Sequence, residues 1–174
     1  MRILFFTHGF NSLTQRLLVE LTERGHDVSI EFDISDAVSE EAVALWRPEL
    51  IVAPYLRRAI PESTWRNHPC LVVHPGIVGD RGPSAIDWAI QEGEARWGVT
   101  VLQANEVMDG GDVWAHREFD MPGSAMRPPT KSSVYRNEVT EAAVSAVLEA
   151  ISRREEGRAP RPLADFGAEA RGTL

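Results

Sequence analysis

A single cysteine, Cys70, is the only thiol in this 174-residue chain. No internal disulfide can form, and no Cys/His spacing resembles a zinc site, so neither a disulfide scaffold nor a metal is expected. Basic residues are also in deficit. Lys and Arg number 18 against 26 Asp and Glu, leaving a formal charge of −8. A surface of that sign repels phosphate backbones and anionic lipid, which argues against nucleic acid and membrane as partners. It does not exclude an anionic small ligand, because a few arginines can reverse the field inside one cleft. Long apolar runs are missing as well. Met1-Arg2-Ile3-Leu4-Phe5-Phe6 gives way to Thr7-His8-Gly9, far short of a membrane span or signal-peptide core, so the expected compartment is the cytoplasm. Internal repeats and low-complexity tracts are absent too.

Hydrophobic residues make up 43% of the chain and charged residues 25%, the balance of a globular domain with a core of its own. The run Ile3–Phe6 reads as a strand buried on both faces. Asn11-Ser12 offer N-cap chemistry to a helix with Leu13, Leu17, Leu18 and Leu21 at helical spacing, and Gly25 ends it. Asp27–Phe32 alternates as a strand. A second helix is expected to open at Ser39-Glu40-Glu41 and close at Pro48, and a third strand follows at Leu50–Ala53. Cys70–Val73 is a fourth strand, Ser84 a cap for a helix over Ala85–Glu92, and Gly98–Leu102 a fifth strand. Val113–Phe119 is expected to return antiparallel, and Ser132–Ser152 to form a long helix. The β-α-β alternation predicts a Rossmann-like α/β fold: an open, mostly parallel sheet with helices on both faces. Residues 1–152 are the expected domain. Residues 153–174, rich in Arg, Glu, Ala, Gly and Pro, read as a tail or linker.

Open parallel sheets bind ligands at the carboxyl ends of their strands. Of the loops that start there, the one from His74 to Ser84 is the least ordinary. Its eleven residues hold a histidine, an aspartate, an arginine, three glycines and two prolines. His74, at a strand end, suits proton transfer and oxyanion stabilisation near neutral pH. A histidine so used needs a carboxylate to orient it, and Asp109, ahead of Gly110-Gly111, is the candidate. The competing reading of Met108–Asp112 is a plain hairpin turn. His8, at the end of the first strand, shares the presumed cleft with Asn11 and Gln15, and with Arg81 these are candidate substrate contacts. His26, His68 and His116 read as structural or solvated.

These residues resemble a family. Val73-His74-Pro75, Arg81-Gly82 and Asp87-Trp88-Ala89-Ile90, then Gly98-Val99-Thr100-Val101 and Asp109-Gly110-Gly111, are similar to the signatures of the folate-dependent formyltransferases. Phe10–Arg16, Arg58–Glu62, His74–Ala85 and Lys131–Thr140 resemble, within it, the amino-terminal domain of members serving hydrogenase maturation. The resemblance implies His74 and Asp109 as the catalytic pair. It implies 10-formyltetrahydrofolate as formyl donor, coenzyme A as acceptor, and carbon monoxide for a nickel-iron centre as the eventual product. Folate binding falls on Leu56, Arg57, Arg58 and Ala59 and on Asn105, Glu106, Val107 and Met108. The implied partners are a crotonase-like domain or protein and the hydrogenase maturation machinery.

Two departures stand out. The family's catalytic asparagine falls on Val72, which cannot donate a hydrogen bond; a backbone amide of Gly76–Gly79 and the side chain of Asn67 are the candidate substitutes. The family's smaller carboxy-terminal domain is also missing, so either the chain is an excised domain or it works with another protein. A 10-formyltetrahydrofolate hydrolase and a non-catalytic folate-binding domain are the alternatives. A dinucleotide-binding module, suggested by Glu31 and Asp33 after the second strand, lacks the G-x-G-x-x-G loop it requires.

Overall fold

Ile3, Leu4, Phe5 and Phe6 lose almost all contact with water because their strand, β1 (Arg2–Thr7), lies inside a six-stranded sheet. The structure, a computed structural model, describes residues 1–124 and 126–172. After β1 come α1 (Ser12–Glu23), β2 (Asp27–Phe32), α2 (Asp36–Trp46), β3 (Leu50–Tyr55), α3 (Glu62–Trp65) and β4 (Cys70–His74). They are followed by α4 (Ala85–Gln91), β5 (Arg96–Gln103), β6 (Val113–Asp120), α5 (Lys131–Val134) and α6 (Thr140–Glu155). The strand order is β2-β1-β3-β4-β5-β6.

Alternation along the strands builds two cores. Ile3, Phe5, Leu50, Val52, Leu71, Val73, Val99 and Val101 meet the leucines of α1 and the alanine- and valine-rich side of α6. Leu4, Phe6, Ile51, Ala53 and Cys70 meet Val43 and Trp46 of α2 and Trp65 of α3 on the other face. Helices on both faces of a mostly parallel sheet are therefore what these residues make. No helix among the described residues is long and apolar enough to cross a membrane.

Three local expectations need correction. The second helix begins at Asp36, a turn before Ser39, because Ser35 is extended and its hydroxyl accepts from the Val38 amide at 3.3 Å. Ser84 does not cap its helix: it sits at φ 65° with no side-chain hydrogen bond. The long helix starts at Lys131, capped by Thr130, and one stretch, Tyr135–Val139, is wound as a π-helix between α5 and α6. The Thr140 hydroxyl satisfies the Tyr135 carbonyl there at 2.7 Å, and the Tyr135 hydroxyl accepts from Asn11 Nδ2 at 2.9 Å.

β5 runs antiparallel to β4, with His74 opposite Thr100 and Leu71 opposite Gln103. A parallel β5 would need a crossover that carries the chain back along the sheet. The connection instead stays at the carboxyl end of β4, and β5 runs back from there beside it.

The segment after α6, which reads as a tail in sequence, folds back over the body. Arg161 exchanges both backbone hydrogen bonds with Val113, at 2.7 and 2.9 Å. Phe166 then stands edge-on to His116, and Arg171 ends beside Asp80.

Burial pushes the Cys70 thiol up to about 12 from 9.0 and the Tyr135 hydroxyl up to about 12 from 10.0. Both titrate higher in the fold than in the unfolded chain, so their neutral forms belong to the fold. Stability is expected to be unaffected by either group below pH 9 and to fall as pH rises towards 12. Denaturant unfolding against pH checks this, and Cys70→Ala should flatten part of that decline. Native Cys70 should also resist iodoacetamide at pH 8 until the chain is unfolded.

Candidate active site

His74 is the last residue of β4, and its side chain emerges on the same face as Cys70 and Val72. Only 4% of it is exposed, so both ring nitrogens must find partners within the protein. Nε2 lies 2.7 Å from Asp80 Oδ2, and Nδ1 lies 3.4 Å from Asp109 Oδ2. The first is a full hydrogen bond. The second is longer than the usual N–H···O distance of about 2.9 Å.

The loop carrying Asp80 is pinned from behind by β5. Trp97 Nε1 donates to the Pro75 carbonyl and Thr100 Oγ1 to the Gly76 carbonyl, each at 2.9 Å. Gly76 is needed because the His74–Asp80 contact passes directly over it. A Cβ there would stand 2.5 Å from both Asp80 Oδ2 and His74 Nε2. Gly79, at φ 94°, faces the Glu169 backbone too closely for any side chain.

Asp109 reaches the histidine by a different route from the one its sequence position suggests. The carboxyl end of β5 lies beside the start of β4, since Ala104 N donates to the Cys70 carbonyl at 2.9 Å. The connection from Ala104 to Asp112 must therefore come back along β4 to deliver Asp109 to His74. It is not a two-residue hairpin. Asp109 itself is held at φ 51°, sparsely populated for a residue with a side chain, and its Oδ2 accepts from the Gly82 amide at 3.1 Å. Gly111 packs so tightly over the Gln103 carbonyl that no Cβ fits there. Arg81, Thr100, Leu102 and Leu163 complete a small cleft with Asp80 and Asp109. Arg81 Nε is buried there and has no hydrogen-bond partner among the described residues.

The other candidates gather elsewhere on the sheet. His8 Nδ1 lies 2.8 Å from Asp33 Oδ1, and the other oxygen of Asp33 accepts from the Arg57 amide at 3.2 Å. Tyr55 stands edge-on to His8 and accepts from Arg57 Nε at 3.0 Å. Arg58 pairs with Asp36 at 3.0 Å, while Ala59 is exposed. Asn11 caps α1 and holds Tyr135, and the Gln15 side chain is exposed on α1 with no hydrogen-bond partner among the described residues. In the second loop Asn105 Oδ1 accepts from the Val107 amide at 2.9 Å, and Glu106, Val107 and Met108 are exposed. The two loops share a floor: Leu56, Val72 and Ala104 all pack on the apolar cluster under α2. Asn67 is no substitute for the missing asparagine, because it precedes β4 at the end away from His74 and donates to the Ser63 carbonyl at 2.7 Å.

Sequence reasoning missed Asp80 and Arg171. Asp80 carried a usable signal, an acid six residues after a strand-end histidine within one glycine-rich loop. Arg171 carried none.

Residues 33–151 match the formyl transferase family. Hydrogenase maturation factor HoxX from Bradyrhizobium diazoefficiens is 58% identical over 164 residues, covering 94% of this chain and 28% of that protein. The crystal structure of HypX from Aquifex aeolicus in complex with tetrahydrofolic acid superposes with a TM-score of 0.91 at 50% identity. The match covers 98% of this chain and 29% of HypX. Methionyl-tRNA formyltransferase from Clostridium thermocellum shares the fold, with a TM-score of 0.68 at 22% identity over 93% of this chain and 68% of that one. The chain thus spans under a third of HoxX and of HypX.

Thr100→Val keeps the shape of the side chain but leaves the buried Gly76 carbonyl without its hydroxyl donor. A loss of about 1–3 kcal/mol is expected in denaturant unfolding.

Proposed function

Because the chain belongs to the formyl transferase family, we propose that it takes the formyl group from 10-formyltetrahydrofolate and passes it to coenzyme A. We place this in the cytoplasm, as a step towards the carbon monoxide ligand of a nickel-iron hydrogenase. One observation carries the reading: a buried histidine at a strand end, between two carboxylates, with a backbone outlier at one of them. Such an arrangement is suited to moving a proton and serves little purpose in packing. The relatives named for hydrogenase maturation and for a tetrahydrofolic acid complex support the substrate class.

The chain's own residues divide the work as follows. Leu56, Val72 and Ala104 offer an apolar floor for a flat heterocycle. Above it, Arg57, Arg58, Ala59 and the loop Asn105-Glu106-Val107-Met108 supply backbone and charge for the folate. Arg81, with its unpartnered Nε, suits a carbonyl or anionic oxygen near Asp109. His74 and Asp109 receive the thiol proton of the acceptor as sulfur attacks the formyl carbon. They return it to the folate nitrogen as the carbon–nitrogen bond breaks. His8, Asn11 and Gln15 lie towards the acceptor side. Later release of carbon monoxide belongs to a crotonase-like domain or protein.

Val72 favours a second reading. Without the usual amide donor the domain has less with which to stabilise an oxyanion, and it would then bind folate without turnover or release formate by hydrolysis.

Incubating the chain with 10-formyltetrahydrofolate, with and without coenzyme A, separates these readings. Tetrahydrofolate release that needs coenzyme A supports the transferase; equal release without it points to a hydrolase; saturable binding alone points to a binding module. His74→Ala and Asp109→Ala are each expected to lower turnover by about 10²–10⁴-fold while leaving folate binding within a few-fold.

A further inference from the structure

We propose that Asp80, not Asp109, is the carboxylate that orients His74, and that the carboxyl-terminal strap around Arg171 holds Asp80 in place. This rests on the formyl-transfer reading for its catalytic consequence, but not for its geometry.

Distance separates the two carboxylates. Asp80 Oδ2 is 2.7 Å from Nε2, a short and buried hydrogen bond, whereas Asp109 is 3.4 Å from Nδ1 and already accepts from the Gly82 amide. A carboxylate accepts only, so Nε2 must carry the hydrogen in that bond. Nδ1 is then the nitrogen left to gain or lose a proton, and it is the one turned towards Asp109 and the cleft. The tautomer is thus set from the protein side, and Asp109 is free to face the reacting groups.

Asp80 is itself held twice. Its chain neighbours are tied to the strap by two backbone hydrogen bonds that straddle it. Arg171 N donates to the Gly79 carbonyl at 2.8 Å, and Arg81 N donates to the Arg171 carbonyl at 2.9 Å. Arg171 Nε also lies 3.9 Å from Asp80 Oδ1, the oxygen not used by His74. That ion pair is long and its arginine is partly exposed, so it contributes less than the backbone bonds. The guanidinium is steadied by the Trp97 ring, 5.2 Å away, and by Glu94 at 2.9 Å. Gly172, at φ 92°, lies against the Arg81 backbone too closely for any side chain. A segment that looks in sequence like a tail therefore completes the site, with Arg171, Asp80, His74 and Asp109 in succession.

The catalytic step consistent with this arrangement conserves its atoms. A proton leaves the thiol of the acceptor for Nδ1 as the sulfur–carbon bond forms. The same proton passes to the folate nitrogen as the carbon–nitrogen bond breaks, with Nε2 keeping its hydrogen throughout.

The test begins with ¹⁵N NMR of the His74 ring in the 174-residue chain, which needs no turnover. A ring protonated on Nε2 is expected, and a neutral ring protonated on Nδ1 overturns the proposal even if the protein is an active formyltransferase. Asp80→Asn is expected to lower kcat by about 10²–10⁴-fold with KM for 10-formyltetrahydrofolate within about twofold, and to shift the ring towards the other tautomer. An Asp80→Asn protein with unaltered kcat and ring spectrum, beside an inactive His74→Ala protein, overturns the proposal and leaves the formyl-transfer reading intact. Arg171→Pro removes both the amide donor and the guanidinium and is expected to lower kcat by about 10–100-fold. Arg171→Ala, which keeps the backbone bonds, is expected to change it less. Gly76→Ala gives an independent route, driving a methyl between His74 and Asp80 without altering charge. An unaltered His74 spectrum in that variant overturns the proposal. If the unsubstituted chain turns over no formyl donor, the NMR result still decides the geometry, and only the function falls.

Discussion

An imidazole taken out of water has two nitrogens to account for, and the ring of His74 is almost wholly buried. Much of the surrounding structure follows from that requirement. One nitrogen is met within the loop that follows its own strand, by Asp80. The other faces a carboxylate from a different loop, Asp109. For Asp80 to reach back, the residue between must lack a side chain, which Gly76 provides. For the loop to keep that shape, its carbonyls are tied to Trp97 and Thr100 on the neighbouring strand.

The reversed direction of β5 makes this possible. Because it runs against β4, Thr100 lies opposite His74 and Trp97 lies beyond the end of β4. Both therefore stand under the loop rather than at the far end of the sheet. The same reversal sends the next connection back along β4, which brings Asp109 to the histidine. The carboxyl-terminal strap adds a third constraint, closing over the Gly79–Arg81 segment through backbone bonds that no side-chain pattern records.

A second polar group, His8 with Asp33, Tyr55 and Arg57, gathers where β1, β2 and β3 end. It is linked through Tyr55 and Tyr135 to Asn11 and the π-helical stretch. Between it and His74 lies the apolar floor formed in part by Val72. Val72 is a branched hydrocarbon there and offers the cleft no hydrogen-bond donor.

The amino-acid sequence by itself determined the strands and their hydrophobic faces, the helices on both sides, and the loops in which His74 and Asp109 stand. Those features are local. Alternation, helical spacing and turn residues act over a few neighbours, and the family motifs are contiguous. The tertiary structure alone decided the direction of β5, which rests on its backbone pairing with β4 and β6. It alone decided that Asp80 and not Asp109 lies within hydrogen-bond distance of the ring, since 2.7 and 3.4 Å cannot be told apart from spacing. Within the expected tail, 153–174, it showed a strap, because Arg161 and Arg171 are held by backbone hydrogen bonds to residues about fifty and about ninety positions earlier. Backbone groups are the same in every residue, so pairing of that kind leaves no mark on composition.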